Sequence, residues 1–233
     1  MRQCLIIILI LMLGAASAAK ITVGPENADY AKIQQAIDNA TNGDVIEVHR
    51  GTYHENVYVF KPVALLGVDT GQGMPLVDAS GAGSVITLAS NGTTVKGFNV
   101  TGSGHCGCGN SGILVDSSDN SIIGNEIYRN KYGIYVKPGM INNTFLANDL
   151  QENNITAYDS AGSRWDADAK AEGLPGLLQQ ITGERASGNH YSDYDEPKEG
   201  CNDTNRDGFC DQPRKIEGGS GQDNHSSILP LNR

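Results

Sequence analysis

Apolar and polar residues alternate in short runs along most of the chain, and in its middle the runs repeat. Ile122-Ile123-Gly124-Asn125-Glu126-Ile127-Tyr128-Arg129-Asn130 returns as Phe145-Leu146-Ala147-Asn148-Asp149-Leu150-Gln151-Glu152-Asn153, with Ile122, Asn125, Ile127 and Asn130 each finding its equivalent 23 positions on. A weaker copy comes first, since Val95, Gly97 and Val100 stand 27 positions before Ile122, Gly124 and Ile127. Between the copies lie the strand-like runs Ile113-Leu114-Val115 and Ile134-Tyr135-Val136, opened by Gly112 and Gly133. Short strands punctuated by Asn and Gly at a near-constant period predict an all-β solenoid of stacked coils. A β-sandwich with evenly spaced strands is the rival, but it has no reason to repeat individual side chains at one period.

The residue types follow from what a coil requires. Asn and Gly tolerate the left-handed backbone of sharp corners, and stacked Asn side chains can bond from coil to coil. Val, Ile and Leu point inward onto their equivalents one coil away; no coil buries its own face, so the two ends need covering. Within Tyr30–Ala40, Ile33, Ala36, Ile37 and Ala40 fall at i, i+3, i+4 and i+7, one apolar helix face stopped by Asn42-Gly43. That helix is expected to lie over the first coil. Strands are expected at Val45–Val48, Val57–Val59, Val63–Leu66, Leu76–Val77 and Val85–Leu88. The repeat breaks over Ser163–Gly188, where Leu174-Pro175-Gly176-Leu177-Leu178-Gln179-Gln180-Ile181 predicts a short helix able to close the other end.

Composition narrows the setting. The 233 residues carry 17 Lys+Arg against 27 Asp+Glu, a net charge of −10. No basic cluster exists to displace phosphate counterions, which argues against a nucleic-acid partner. Arg2 precedes an apolar run from Leu5 to Leu13, followed by Gly14-Ala15-Ala16-Ser17-Ala18, the layout of a secretory signal peptide over residues 1–18. The run is too short for a permanent span and no later stretch approaches one, so a secreted or extracytoplasmic chain with no transmembrane segment is expected. Oligomeric state is not legible. Four cysteines follow the leader, Cys106, Cys108, Cys201 and Cys210, and export favours disulfides among them, with pairing open. Asn39, Asn91, Asn99, Asn142, Asn154, Asn202 and Asn224 each open an N-x-S/T sequon.

Two clusters carry candidate chemistry. Asp203-Thr204-Asn205-Arg206-Asp207-Gly208-Phe209-Cys210-Asp211 reads D-x-N-x-D-G-x-x-D. Side-chain oxygens of Asp203, Asn205 and Asp207, the Phe209 carbonyl and Asp211 can converge on one hard cation, with Gly208 allowing the sharp turn. The twelfth position is Arg214 rather than Glu, so the loop predicts calcium with modest affinity, roughly 10⁻⁴–10⁻³ M, in a structural role. A Cys201–Cys210 bridge would fix its shape before metal arrives. The second cluster, Gly104-His105-Cys106-Gly107-Cys108-Gly109, falls where the repeat lengthens from 23 to 27 and reads as a projecting loop. His105, Cys106 and Cys108 are soft ligands suited to copper, the competing reading being oxidation of the cysteines to a disulfide. As for catalysis, Asp116, Asp119 and Glu126 are the only nearby acids of the central coils and read as turn residues, and no Ser/His/Asp set is recognisable.

Ile33-Gln34-Gln35-Ala36-Ile37, Gly43-Asp44-Val45-Ile46-Glu47-Val48, Gly51-Thr52-Tyr53 and Lys61-Pro62-Val63-Ala64-Leu65-Leu66-Gly67 together resemble the opening of right-handed, single-stranded parallel β-helix proteins. The chain is most similar to the NosD-like group, including secreted archaeal members, and Gly188-Asn189-His190-Tyr191-Ser192-Asp193-Tyr194-Asp195 resembles the G-N-x-x-S-D-Y tail of that group. The resemblance implies a β-helix over 19–162 with an N-terminal helical cap. An irregular insertion or C-terminal cap is expected over 163–188, and a calcium-binding tail over 189–233 packed on the coils. A domain shared by carbohydrate-binding proteins and sugar hydrolases does not assign an activity. The expectation is an exported, non-catalytic, calcium-stabilised protein whose flat sheets bind a glycan or cell-envelope partner. Its rivals are a copper-handling accessory protein and a polysaccharide lyase or glycoside hydrolase.

Overall fold

The structure, a computed structural model, describes residues 18–69, 71, 73–106, 109–166 and 188–231. The leader over 1–17, Cys108 and the helix expected around Leu177 fall outside the described residues.

Among the described residues the chain opens with β1 (Lys20–Val23) and the α-helix α1 (Ile33–Asn39), and then coils. The first coil is β2 (Val45–His49), β3 (Thr52–Tyr53) and β4 (Val57–Val59); the second is β5 (Ala64–Val68), β6 (Leu76–Asp78) and β7 (Ile86–Leu88). The third is β8 (Thr94–Lys96), β9 (Asn99–Thr101) and β10 (Ser111–Val115), and the fourth is β11 (Ser121–Ile123), β12 (Glu126–Tyr128) and β13 (Tyr132–Val136). The fifth is β14 (Thr144–Leu146), β15 (Asp149–Gln151) and β16 (Ile155–Asp159); β17 (His190–Tyr191), β18 (Arg214–Lys215) and β19 (Gln222–Asp223) follow. Strands one coil apart pair in parallel, building three sheets: β1-β2-β5-β8-β11-β14, then β3-β6-β9-β12-β15-β17, then β4-β7-β10-β13-β16. The molecule is an all-β parallel solenoid of about six turns with little helix, and its register matches the repeat, Ile122 lying on Phe145 and Ile127 on Leu150.

Columns of inward side chains form the core. Leu65, Val95, Ile122 and Phe145 stack along the first sheet, and Val77, Val100, Ile127, Leu150 and Tyr191 along the second; Ile86, Ile113 and Ile134 stack along the third. All are fully buried, each contributing about 1.5–3 kcal/mol for an aliphatic side chain.

The corners differ from expectation in one respect. Asn or Gly was expected to take the left-handed conformation, as Gly124 and Asn142 do, but Asp119, Arg129, Ala147 and Glu152 take it too, and the stacked Asn is in each case the residue that follows. The Asn that follows serves as a connector. Asn125 donates to Asn148 Oδ1 from both its backbone N–H (3.1 Å) and its side chain (3.0 Å), and Asn148 does the same to Asn189 (3.0 and 2.9 Å). Parallel ladders join Asn120 to Asn143 and Asn130 to Asn153 at the other two corners. Each amide satisfies backbone groups that a sharp corner would leave unpaired in the interior. Gly112 and Gly133 make room for this: a Cβ on Gly133 would run into the Thr156 carbonyl and the Asn153 side chain.

The helix is shorter than its apolar periodicity suggested, because Tyr30 bridges to Val23 and Lys32 is extended. Its first turn has no cap of its own; Glu55 supplies one, its carboxylate accepting from Ile33 N–H and Gln34 N–H, each at 3.0 Å. Ile33, Ala36 and Ile37 are buried on the core side. At the other end Trp165 stacks on Phe145 (4.2 Å between centroids) and donates to the buried Asp159 carboxylate. The tail adds single bridges to the last strands, Glu217 beside Tyr158 and Ser227 beside His190.

Candidate functional site

Inward Val77, Val100, Ile127 and Leu150 leave their strand neighbours pointing out of the second sheet, because side chains alternate across a strand. One outward row runs Thr52, Leu76, Asn99, Glu126, Asp149, His190 from strand to strand. A second carries Asp78, Thr101, Tyr128 and Gln151. Adjacent rungs are about 4.8 Å apart.

The two ends of the first row are unlike. Thr52 is exposed and Leu76, Asn99 and Glu126 are half-buried. Asp149 and His190, at 1% and 2% exposure, lie beneath the tail. There His190 Nε2 is 3.2 Å from Asp195 Oδ2, and His190 Nδ1 is 3.6 Å from Asp149 Oδ1, an oxygen that also accepts from Leu231 N–H. Burial pushes the Asp195 carboxyl above its ordinary range, with His190 pulling it back. This imidazole is held between two acids with no access for a substrate. Beside the open end lies a recess of about 440 Å³ lined in part by Pro25, Arg50, Thr52, Met74, Leu76 and Asn99. The Asn99 Oδ1 atom is buried and has no hydrogen-bond partner among the described residues.

One trio on the second row has the composition of a nucleophile relay. Ser80 Oγ is 3.2 Å from His54 Nδ1, and Asp78 Oδ2 is 3.5 Å from that same nitrogen. A relay needs acid and hydroxyl on opposite ring nitrogens, so this arrangement cannot act as one.

The 203–211 loop is ordered by its own backbone. Asp203 accepts from Asp207 N–H (3.1 Å) and Gly208 N–H (3.1 Å), Asn205 from Asp207 N–H (3.0 Å), and Asp207 from Phe209 N–H (2.9 Å). Asp211 turns to the Thr204 N–H and hydroxyl, which hold its carboxyl below the usual range. Gly208 takes the left-handed turn foreseen for it, at φ +92°. Cys201 and Cys210 form a disulfide across the loop.

His105 is exposed and Cys106 is disulfide-bonded, with Cys108 outside the described residues. A sulfur held in a disulfide offers no thiolate, so in the oxidised protein Cys106 is not a soft ligand. Among the described residues no three His, Cys, Asp or Glu side chains gather as a metal-binding group. On the third sheet Tyr135 and Tyr158 stack at 5.0 Å and 7°. Their outer ring faces meet Gly109 and Gly218, so they present edges rather than faces to solvent.

Sequence reasoning missed the outward row. The repeat does align Asn99 with Glu126 at 27 positions and Glu126 with Asp149 at 23, but the offsets of the first coils are irregular and hide Thr52 and Leu76 from that column.

A family model described as periplasmic copper-binding protein (NosD) matches residues 76–196, just over half of the chain. A cell surface glycoprotein of Methanothermus fervidus is 32% identical over 131 residues, 55% of this chain and 20% of that protein. The chain thus spans about a fifth of the length of that relative. The pectin methylesterase from Aspergillus niger superposes with a TM-score of 0.38 at 13% identity, over 77% of this chain and 66% of that one. Among the described residues no helix is long and apolar enough to cross a membrane. With its central coils and the start of its tail matched by the family model, the chain belongs to the NosD family.

Proposed function

We propose that this is an exported, extracytoplasmic β-helix protein that binds a glycan or another cell-envelope component without catalysing a reaction on it. The observation that carries the reading is the outer face of the second sheet. It offers hydroxyl, amide, phenol and carboxylate groups in straight rows one strand apart, open over the first four coils. Such rows suit a linear polymer whose hydroxyls recur at short intervals, and few other ligands repeat on that scale. The kinship to a protein named a cell surface glycoprotein supports the envelope setting. In this reading α1 covers the N-terminal end of the coils, and a calcium ion held by Asp203, Asn205, Asp207, the Phe209 carbonyl and Asp211 stiffens the tail. Calcium would draw Asp211 away from Thr204 and replace the N–H groups now bound by Asp203 and Asp207.

Retention of the protein on immobilised envelope polysaccharide tests the binding. Thr101→Arg, in the middle of the face, is expected to lower affinity at least tenfold, while Thr87→Arg on the third sheet leaves it unchanged. Equal loss from both, or retention of neither variant nor parent, would remove the reading. Millimolar calcium is expected to raise the melting temperature by a few degrees, and Asp207→Ala to abolish that rise.

A further inference from the structure

We propose that Asn202 is an N-glycosylation site of the folded protein, the one among its seven sequons whose surroundings let the native chain accept a glycan and keep it. The inference goes beyond the reading above and takes from it only export. In the reaction the Asn amide nitrogen attacks the anomeric carbon of an oligosaccharide carried on a polyisoprenyl diphosphate. A C–N bond forms, the C–O bond to the diphosphate breaks, one amide proton passes to solvent, and polyisoprenyl diphosphate leaves. Two demands follow for a chain that has already folded. The amide must reach the transferase together with the hydroxyl two residues on, which places usable sequons on surface loops. The amide nitrogen must also be free of hydrogen bonds within the fold, since a bulky substituent turns it outward and forfeits them.

Six sequons fail one demand or the other. Asn39 Nδ2 donates to the Gln35 carbonyl (2.8 Å) within α1, Asn142 Nδ2 to Asp119 (3.1 Å) and Asn224 Nδ2 to Asp166. Asn91 and Asn154 are exposed, but Thr93 and Thr156 are buried and donate to the Ser90 carbonyl and the Asp193 carboxylate. Asn99 is half-buried in β9 with its Oδ1 atom enclosed. Asn202 meets both demands. It and Thr204 are exposed and lie outside any helix or strand, and among the described residues the Asn202 side chain has no hydrogen-bond partner. Asp203 between them is turned into the loop, accepting from Asp207 N–H and Gly208 N–H. The Thr204 hydroxyl donates to Asp211, but both residues are exposed, so water or an enzyme replaces that bond at little cost. The backbone holds the acceptor in place, with the Cys201–Cys210 bridge on one side and the Asn202 carbonyl accepting from Asp211 N–H at 2.6 Å. Little ordering is then left for the transferase to impose. A glycan here stands on the tail, and none at Asn99 leaves the outward face of the second sheet clear.

Folded protein from a host without N-glycosylation, incubated with a purified single-subunit oligosaccharyltransferase and a polyisoprenyl diphosphate oligosaccharide, tests this. Mass spectrometry of the peptides reads the occupancy of each sequon. Asn202 is expected to be occupied at least tenfold more than any other, and Asn202→Gln to lower total incorporation at least tenfold with an unchanged melting temperature. In the reduced, alkylated and unfolded chain that preference should shrink to threefold or less, because the other sequons are then freed. No transfer to Asn202 in the folded protein, equal occupancy of any other sequon there, or an undiminished preference for Asn202 after unfolding overturns the proposal. Transfer is measured on purified protein, so its failure leaves the envelope reading standing, which retention on polysaccharide tests separately.

Discussion

The coils from β11 onward and the three coils before them face the same difficulty, buried backbone groups at the corners, and resolve it differently. In the later coils one asparagine per corner accepts from the coil below and donates to the coil above, so Asn125, Asn148 and Asn189 form a continuous chain of bonds. In the earlier coils the work falls to single side chains: Asp44 accepts from Ala19 N–H and Thr41 N–H, and Glu55 accepts from the first turn of α1. An amide can pass a bond on because it is both donor and acceptor; an ionised carboxylate only accepts. The spacing follows the chemistry. Leu65 lies 19 residues after its partner Ile46 and Val95 lies 30 after Leu65, against 27 and then 23 along the ladder. Where the ladder meets the tail the passing-on stops, since Asn189 ends on the carboxylate of Asp223.

The sharpest way to break this contrast is to remove a middle rung. Asn148→Ala takes the acceptor from the Asn125 N–H and one donor each from the Ile122 carbonyl and the Asn189 Oδ1 atom in a buried corner. A loss of about 4 kcal/mol is expected, from one to three for each stranded group with some relaxation. Urea unfolding measures it, and a loss below about 1 kcal/mol would mean the ladder is ornament.

The terminal carboxylate makes a prediction about pH. Burial raises Asp223 from its ordinary 3.8 to about 6, against the opposing pull of bonds from Asn189, His225 and Tyr191. The folded state therefore holds this proton more tightly than the unfolded one. The stability it contributes is complete below about pH 4 and is lost as pH rises through about 6. About 3 kcal/mol separates the two limits. Asp223→Asn should flatten the fall in melting temperature between pH 4 and 7 relative to the parent; an identical slope would place the titration elsewhere.

Smaller effects separate the two ends. Cys201→Ser opens the bridge across the 203–211 loop and should cost about 2–3 kcal/mol, since the loop closed is short. Hydrogen exchange is expected to quicken over 189–231 and not over α1. Glu55→Ala removes the borrowed cap of α1 and should cost about 1 kcal/mol, with exchange quickening only near Ile33–Asn39. Spreading of either change to the far end would show the solenoid to be more cooperative than a nearest-neighbour stack.

Much of this fold was legible because the ladder residues are also the repeat. Asn125, Asn130, Ile122 and Ile127 recur at one interval for a geometric reason, the step between coils, and so betray the register directly. Asp44, Glu55 and Asp223 do equivalent work singly, and a residue used once leaves no period to find. The same limit applies to the candidate site. Glu126 sits in a repeated segment and could be aligned with Asn99 and Asp149, but Thr52 and Arg50 come from coils of unequal length, and only the fold brings them with Asn99 to one recess. The Gly208 turn and the bridge across 201–210 were readable for the opposite reason, being local, with both features inside ten residues.

Trp165 is the one tryptophan of the chain, fully buried against Phe145 and bonded to Asp159. Its emission is therefore a private optical gauge of the last coil. A red shift that precedes loss of far-ultraviolet dichroism on heating would reveal the end of the rod fraying first. Coincident transitions would show it melting as a single body.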